Sequence, residues 1–198
     1  MNRPKMDVST RTLTGTAVLG ALVVVFDYTI KFSGLKIPFI PPLQFLHFDF
    51  TGVPVVLSLL LFDLVPGGAV TSAVAFFAIF ARSGSFVGPV SKALAEFSTI
   101  LGVALGYKWI RSPVRLTKPI SGVLGVSLRC LVMFFANLVI QPVYYGTPLM
   151  AVLLLSPLVA VFNAIQGSIS VVGGYLIYEA ILHRTPFRSR LKDAQAAK

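Results

Sequence analysis

Three ionisable side chains, Lys92, Glu96 and Arg129, interrupt long apolar runs of this sequence. A charge at membrane depth is expensive and is a candidate for function by default. Lys92 and Glu96 have the i, i+4 spacing of a helical ion pair. The same carboxylate can instead contact a ligand, and both readings of Glu96 stand at this point. Arg129 and Asn137 are eight residues apart with Met133 midway, which puts all three on one helix face. Asn163, Gln166 and Ser170 share a face of the next helix by i, i+3, i+7 spacing. Carboxamides inside a membrane bundle often serve only as interhelical glue. Two helices that both present them below an aromatic pair, Tyr144-Tyr145, also supply the donors, acceptors and aromatic faces that hold a buried heterocycle.

This is the chemistry of hydrogen bonding, without a constellation for covalent catalysis. The sequence carries no Walker motif, no metal-ligand spacing and no Ser/His/Asp set. His47 and His183 are far apart, and Cys130, the single cysteine, lies in an apolar run as a small buried residue. Neither an enzyme, a metal nor a resident cofactor is expected.

The elements that must position these groups are membrane helices. Of 198 residues 56% are hydrophobic, and the mean hydropathy is +0.84, more apolar surface than one soluble core can hide. The pattern predicts a single all-α transmembrane domain over 1–198, with six spans at about 12–30, 52–64, 69–81, 89–109, 120–140 and 150–182. Spans two and three are short and are expected to tilt or to be shielded by neighbours and by the preceding loop. A proline-rich outer loop, 31–49, carries Pro38, Pro41 and Pro42. Val65-Pro66-Gly67-Gly68 is expected to turn span two into span three, and Arg82-Ser83-Gly84-Ser85 to form the next loop. Span five is expected to stop at Gln141-Pro142, with Tyr144 to Pro148 as the last outer loop. Pro157 is expected to divide span six. The first apolar run continues through Phe26 without a small-residue cleavage site and reads as a retained span.

The formal charge of +10 raises the question of nucleic acid, but its distribution answers it. The cations gather at Arg3 to Arg11, Lys108 to Lys118 and Arg184 to Lys198, with no basic helix or aromatic-basic sheet motif beside them. Twelve of the 17 Lys and Arg fall on one side of the predicted spans, four (Lys31, Lys36, Arg82, Lys92) lie outside or near the outer ends, and Arg129 lies within a span. By the positive-inside rule both termini are cytoplasmic and the protein is multi-pass in the cell membrane. Its surroundings are lipid, and no nucleic-acid partner is expected.

Several segments resemble the substrate-binding S components of energy-coupling-factor (ECF) vitamin transporters, most closely the riboflavin branch. Ala17-Val18-Leu19-Gly20-Ala21 is similar to the AxxxA motif of span one. Phe48-Asp49-Phe50-Thr51-Gly52-Val53-Pro54 is similar to the acidic lead-in to span two, and Val65-Pro66-Gly67-Gly68-Ala69 to the glycine turn that follows. Ala136-Asn137-Leu138-Val139-Ile140-Gln141-Pro142-Val143-Tyr144 and Phe162-Asn163-Ala164-Ile165-Gln166-Gly167 resemble two flavin-contacting motifs. The sequence departs from the pattern where Gln166 replaces a lysine, Gly52 an acid, and Glu96 a neutral residue. The resemblance implies a six-helix S-component fold that binds riboflavin from outside. It implies Asn137, Asn163, Gln166, Glu96, Tyr144, Asp49 and Thr51 as ligand contacts, and Ala17 and Ala21 as the contact with a transmembrane coupling subunit driven by two ATPase subunits. Other S-component vitamins, a stand-alone secondary vitamin carrier and a lipid-modifying enzyme are the competing readings.

Overall fold

The computed structural model describes residues 9–34, 37–39, 46–110 and 114–184. Arg3, Lys5, Lys36, Pro41, Pro42, Arg111 and the basic residues beyond Arg184 lie outside the described residues, so the charge count that oriented the termini is only partly represented. The elements are α1 (Thr10–Phe32), β1 (Ile37–Pro38), β2 (His47–Phe48), α2 (Gly52–Phe62), a π-helical turn (Leu64–Ala69) that runs into α3 (Val70–Ser83), α4 (Val87–Trp109), α5 (Val114–Tyr145) and α6 (Leu149–Arg184).

The position of α2 follows from its composition. Gly-Val-Pro-Val-Val-Leu-Ser-Leu-Leu-Leu-Phe is apolar on every side, and a helix of that kind belongs in a core. All 11 of its residues are buried. At about 1.5 Å per residue it is far too short to cross a hydrocarbon core of about 30 Å, but protein surrounds it and lipid thickness places no demand on it. Neighbouring elements make contact in the cyclic order α1, α3, α4, α5, α6, α2, and α2 also touches α4. Phe77, Phe135, Leu154 and Leu176 point outward and exposed from the surrounding helices. Among the described residues four helical stretches (α1, the π turn with α3, α5 and α6) are long and apolar enough to cross a membrane, which marks a multi-pass membrane protein.

The punctuation differs from the expectation at four places. First, the chain reverses at Asp63, before the predicted turn at 65–68. Asp63 has a φ of 76°, its carboxylate accepts from Leu64 N at 2.7 Å, and its carbonyl accepts from Gly67 N and Gly68 N. The Pro-Gly-Gly stretch winds as the π turn because its glycines pass against α2: a Cβ on Gly67 would stand 2.3 Å from the Ser58 carbonyl oxygen. The third span thereby reaches 20 residues and is not short. Second, Arg82 and Ser83 belong to α3, which ends at left-handed Gly84.

Third, α5 continues through Pro142, so Tyr144 and Tyr145 are helical and the last loop shrinks to Gly146-Thr147-Pro148. Gly146 turns the chain with a φ of 64°, while Thr147 N donates to Gln141 O at 3.2 Å. Fourth, α6 is continuous through Pro157. A proline there has no N–H for the carbonyl four residues earlier, and the Ser156 hydroxyl donates to that Leu153 oxygen at 2.7 Å instead. Apart from the punctuation, the outer loop carries a short antiparallel pair, Ile37 opposite Phe48 and Pro38 opposite His47, in a chain expected to be entirely helical.

Helices α4 and α5 approach one another closely at glycines. A Cβ on Gly102 would stand 2.7 Å from both Gly125 Cα and the Leu124 carbonyl oxygen, and one on Gly106 would stand 2.6 Å from Ser121. Small residues at these spacings let backbones touch, as in other membrane helix pairs. Gly102→Val is expected to force the two helices apart and destabilise the protein by about 1–3 kcal/mol, as overpacking does. The check is a lowered thermal midpoint in detergent, and an unchanged midpoint would show slack at this contact.

Candidate ligand-binding site

A cavity of about 340 Å³ lies among the ends of α1 and α3, the first half of α4, α5, α6 and the 46–49 segment. Its size is within the range of about 300–1,000 Å³ found for small-molecule sites. One wall is a single stripe of α5: Arg129, Met133, Asn137, Gln141 and Tyr145 all line it at i, i+4 intervals. The opposing wall on α6 presents Phe162, Asn163 and Gln166. A second cavity of about 200 Å³ between α5 and α6 is walled by Cys130, Phe134, Leu155 and Val159, and shares Asn137, Gln141 and Asn163 with the first.

The side of the site nearest the outer loop is held down by its own chemistry. Phe39 and Phe48 pack on Phe162 with ring centroids 5.6 and 5.0 Å away, an anchor for the two-stranded segment. Gln166 then grips the backbone beyond it: Nε2 donates to the Asp49 carbonyl at 2.8 Å, and Oε1 accepts from Asp49 N at 3.3 Å. The Asp49 carboxylate accepts from Lys92 Nζ at 2.8 Å, from Thr51 Oγ1 at 2.7 Å and from Thr51 N at 3.1 Å.

Below this lies an ionic cluster. Glu96 has no exposed surface, and its Oε1 accepts from Lys92 at 2.9 Å and from Arg129 Nη1 at 3.0 Å. Arg129 also donates through Nη1 to Thr99 Oγ1 at 3.3 Å and through Nε to Asn163 Oδ1 at 3.2 Å. Asn163 completes its own pairing by donating to the Val159 carbonyl at 2.9 Å. Asp49, Lys92, Glu96 and Arg129 together sum to zero charge. Nearer the rim Asp27 and Arg82 form a two-point pair, at 2.6 and 3.2 Å, that joins α1 to α3.

The predicted site residues therefore fall into different places. Asn137, Asn163, Gln166 and Asp49 come together on the cavity wall. Thr51 is buried behind Asp49 and fixes its carboxylate. Glu96 combines its two readings differently from either: it pairs with Lys92 as the spacing indicated, adds Arg129 from another helix, and is absent from the cavity surface. Tyr144 and its neighbour Tyr145 are both exposed, at 63% and 61%, and of the two only Tyr145 borders the cavity, at its rim. Ala17 and Ala21 are exposed on α1, away from the cavity.

Two departures from the family pattern meet in space. The Cβ that Gly52 lacks would stand 2.4 Å from Glu96 Oε2, so the missing side chain leaves room for that carboxylate. Sequence reasoning left Lys92 and Arg129 out of the ligand-contact set, although the i, i+4 pairing marked the first and an intramembrane cation on the Asn137 face marked the second.

Burial alone would raise the Asp49 carboxyl, but the Lys92 ammonium and the hydrogen bonds from Thr51 outweigh it and hold the group below its ordinary value of 3.8. Its charged form therefore stabilises the closed loop fully at neutral pH. That stability is lost as pH falls from about 4 through the depressed folded value. Protection of the 46–51 amides from hydrogen exchange, taken relative to their intrinsic rates, is expected to fall over this acid range in the wild type and to be low already at neutral pH in Gln166→Leu, which leaves the Asp49 backbone groups unpaired at about 1–3 kcal/mol. Equal protection of the two proteins at neutral pH would show that Gln166 does not hold the loop.

No family model matches the sequence, and no curated protein matches it. The fold is similar to a solved structure described as the S component of a bacterial ECF transporter, at 24% sequence identity and a TM-score of 0.70, over 87% of this chain and 96% of that one. The likeness shows that this chain has the S-component fold.

Proposed function

We propose that this chain is the substrate-binding S component of an ECF-type importer and that its ligand is riboflavin. The observation that carries the reading is the cavity of about 340 Å³ among α1, α3, α4, α5 and α6, roofed by the Asp49 segment and walled by Asn137 and Asn163. Those asparagines belong to the two motifs that resemble flavin contacts. A neutral ligand suits a cavity whose buried charges already cancel, since an added ion would have to be desolvated without a free counter-charge.

The division of labour follows from the hydrogen bonds. Asn137 spends its Nδ2 on the Met133 carbonyl at 2.7 Å, and its Oδ1 has no partner among the described residues. That oxygen accepts from a ligand N–H. Phe162 and Tyr145 add aromatic surface to the cavity lining, which suits a flat heterocycle. Gln166 acts indirectly, because both ends of its amide are engaged by Asp49; the cavity depends on it for the position of its roof.

In this reading α4 crosses with the four long apolar stretches, α2 is enclosed among them to complete a six-helix bundle, and both termini are in the cytoplasm. Ligand enters from outside, and ATP-driven motion of two ATPase subunits, passed through a coupling subunit that meets α1 at Ala17 and Ala21, reorients the chain and releases the cargo. The exposed, small-residue face of α1 suits close approach by another helix.

Titration of detergent-purified protein by quenching of riboflavin fluorescence tests the ligand. Saturable quenching is expected, with Asn137→Ala and Asn163→Ala each weakening it by about tenfold or more, the cost of an unpaired group in a dry site. Tight binding of another vitamin without any riboflavin binding would overturn the assignment. Ala17→Trp with Ala21→Trp is expected to keep ligand binding and abolish uptake in cells that contain the partner subunits. Undiminished uptake would remove this face of α1 from the coupling contact.

A further inference from the structure

We infer that Arg129 is a specificity-determining contact at the inner end of the cavity, where its guanidinium donates to a neutral hydrogen-bond acceptor of the ligand, such as a ring carbonyl or ring nitrogen. This inference rests on the S-component reading and goes beyond it by naming a contact outside the two asparagine motifs.

The argument starts from how the guanidinium is used. Nη1 and Nε are taken up by Glu96, Thr99 and Asn163, three partners on two other helices. They fix the plane of the group, which an arginine on a flexible stem otherwise lacks. Nη2 has no hydrogen-bond partner among the described residues, and it is not among the buried atoms that lack one. The side chain is 2% exposed, and it lines the cavity. A donor nitrogen that is held rigidly, left unpaired and open to a cavity is prepared for an acceptor.

Charge decides what kind of acceptor. Glu96 already balances the guanidinium, while Lys92 lies between Glu96 and Asp49 at 2.9 and 2.8 Å. No cation of this cluster is left over for an anionic ligand group, so a neutral acceptor is preferred over a carboxylate or phosphate. Position along the helix adds a dimension. Arg129 and Asn137 are eight residues apart on the α5 stripe, about 12 Å at 1.5 Å per residue. A donor at the inner end and an acceptor farther along fit an elongated polar molecule lying along α5.

Substituting Arg129 alone strands the buried Glu96 carboxylate and risks the fold. The test therefore compares Glu96→Gln with the double variant Arg129→Met, Glu96→Gln, both confirmed as folded by ligand-free thermal melting. Each is titrated with riboflavin, pantothenate, folate and thiamine, alongside the wild type, with thermal stabilisation as the common readout. The double variant is expected to bind the vitamin that saturates the wild type at least tenfold more weakly than Glu96→Gln does. Equal affinities of the two variants would overturn the contact at Arg129. If the wild type prefers anionic pantothenate or folate, the neutral-acceptor inference fails together with the riboflavin assignment. If it binds riboflavin and the variants do not differ, only the inference fails. If none of the four vitamins stabilises the wild type, the vitamin-binding reading falls and this inference with it.

Discussion

The Glu96 carboxylate, buried without exposure in a bundle of apolar helices, is the constraint on which the site depends. Burying a carboxylate costs several kcal/mol after relaxation, and removing one member of a buried pair costs about 3–5 kcal/mol. Glu96 therefore requires cations close by, and it obtains Lys92 from its own helix and Arg129 from α5. Arg129 in turn orients Asn163 on α6, and Lys92 reaches up to Asp49 in the outer loop. One carboxylate thus fixes the relative placement of α4, α5, α6 and the loop that roofs the cavity. The glycine contacts between α4 and α5 bring the backbones near enough for these side chains to meet.

Such a network is a poor source of stability, since well-packed apolar side chains of the same volume often do as well or better. Its value lies in preorganisation. A cavity wall of hydrogen-bonding groups binds tightly only if those groups do not have to be ordered when the ligand arrives. Here the asparagine of α6 is held by Arg129 and the Val159 carbonyl, and the Asp49 segment is held by Gln166, Thr51 and Lys92. Residues 46–49 are attached to α6 by the hydrogen bonds of Gln166 with Asp49 and by an aromatic cluster.

Much of this was legible in the residues. Apolar runs located the helices, four of which have the length and composition that a bilayer imposes, while α2 is short and apolar because protein encloses it. Helical periodicity put Arg129, Met133 and Asn137 on one face and Asn163 with Gln166 on another, and both faces line the cavity. Local repair of backbone groups was less visible. The Ser156 hydroxyl that carries α6 past Pro157 and the Asp63 cap that moves the reversal ahead of Pro66 act at single atoms, where proline and glycine rules give the wrong stop. Pairings between distant residues were the least visible: Glu96 with Arg129 is 33 residues apart, and Gln166 with Asp49 is 117 apart. No spacing rule links them, so the structure was needed to see that Gln166 serves the loop and that Glu96 lies behind the cavity surface.

The account stands on the cavity holding a neutral heterocycle taken from outside the cell. Native mass spectrometry of the detergent-purified protein, expressed in riboflavin-supplemented cells, measures that directly. One adduct per chain with the mass of riboflavin is expected, together with a flavin absorption spectrum that is lost on denaturation. A protein of apo mass and no flavin absorption after such growth, or one that carries an anionic metabolite in this cavity, would contradict the account.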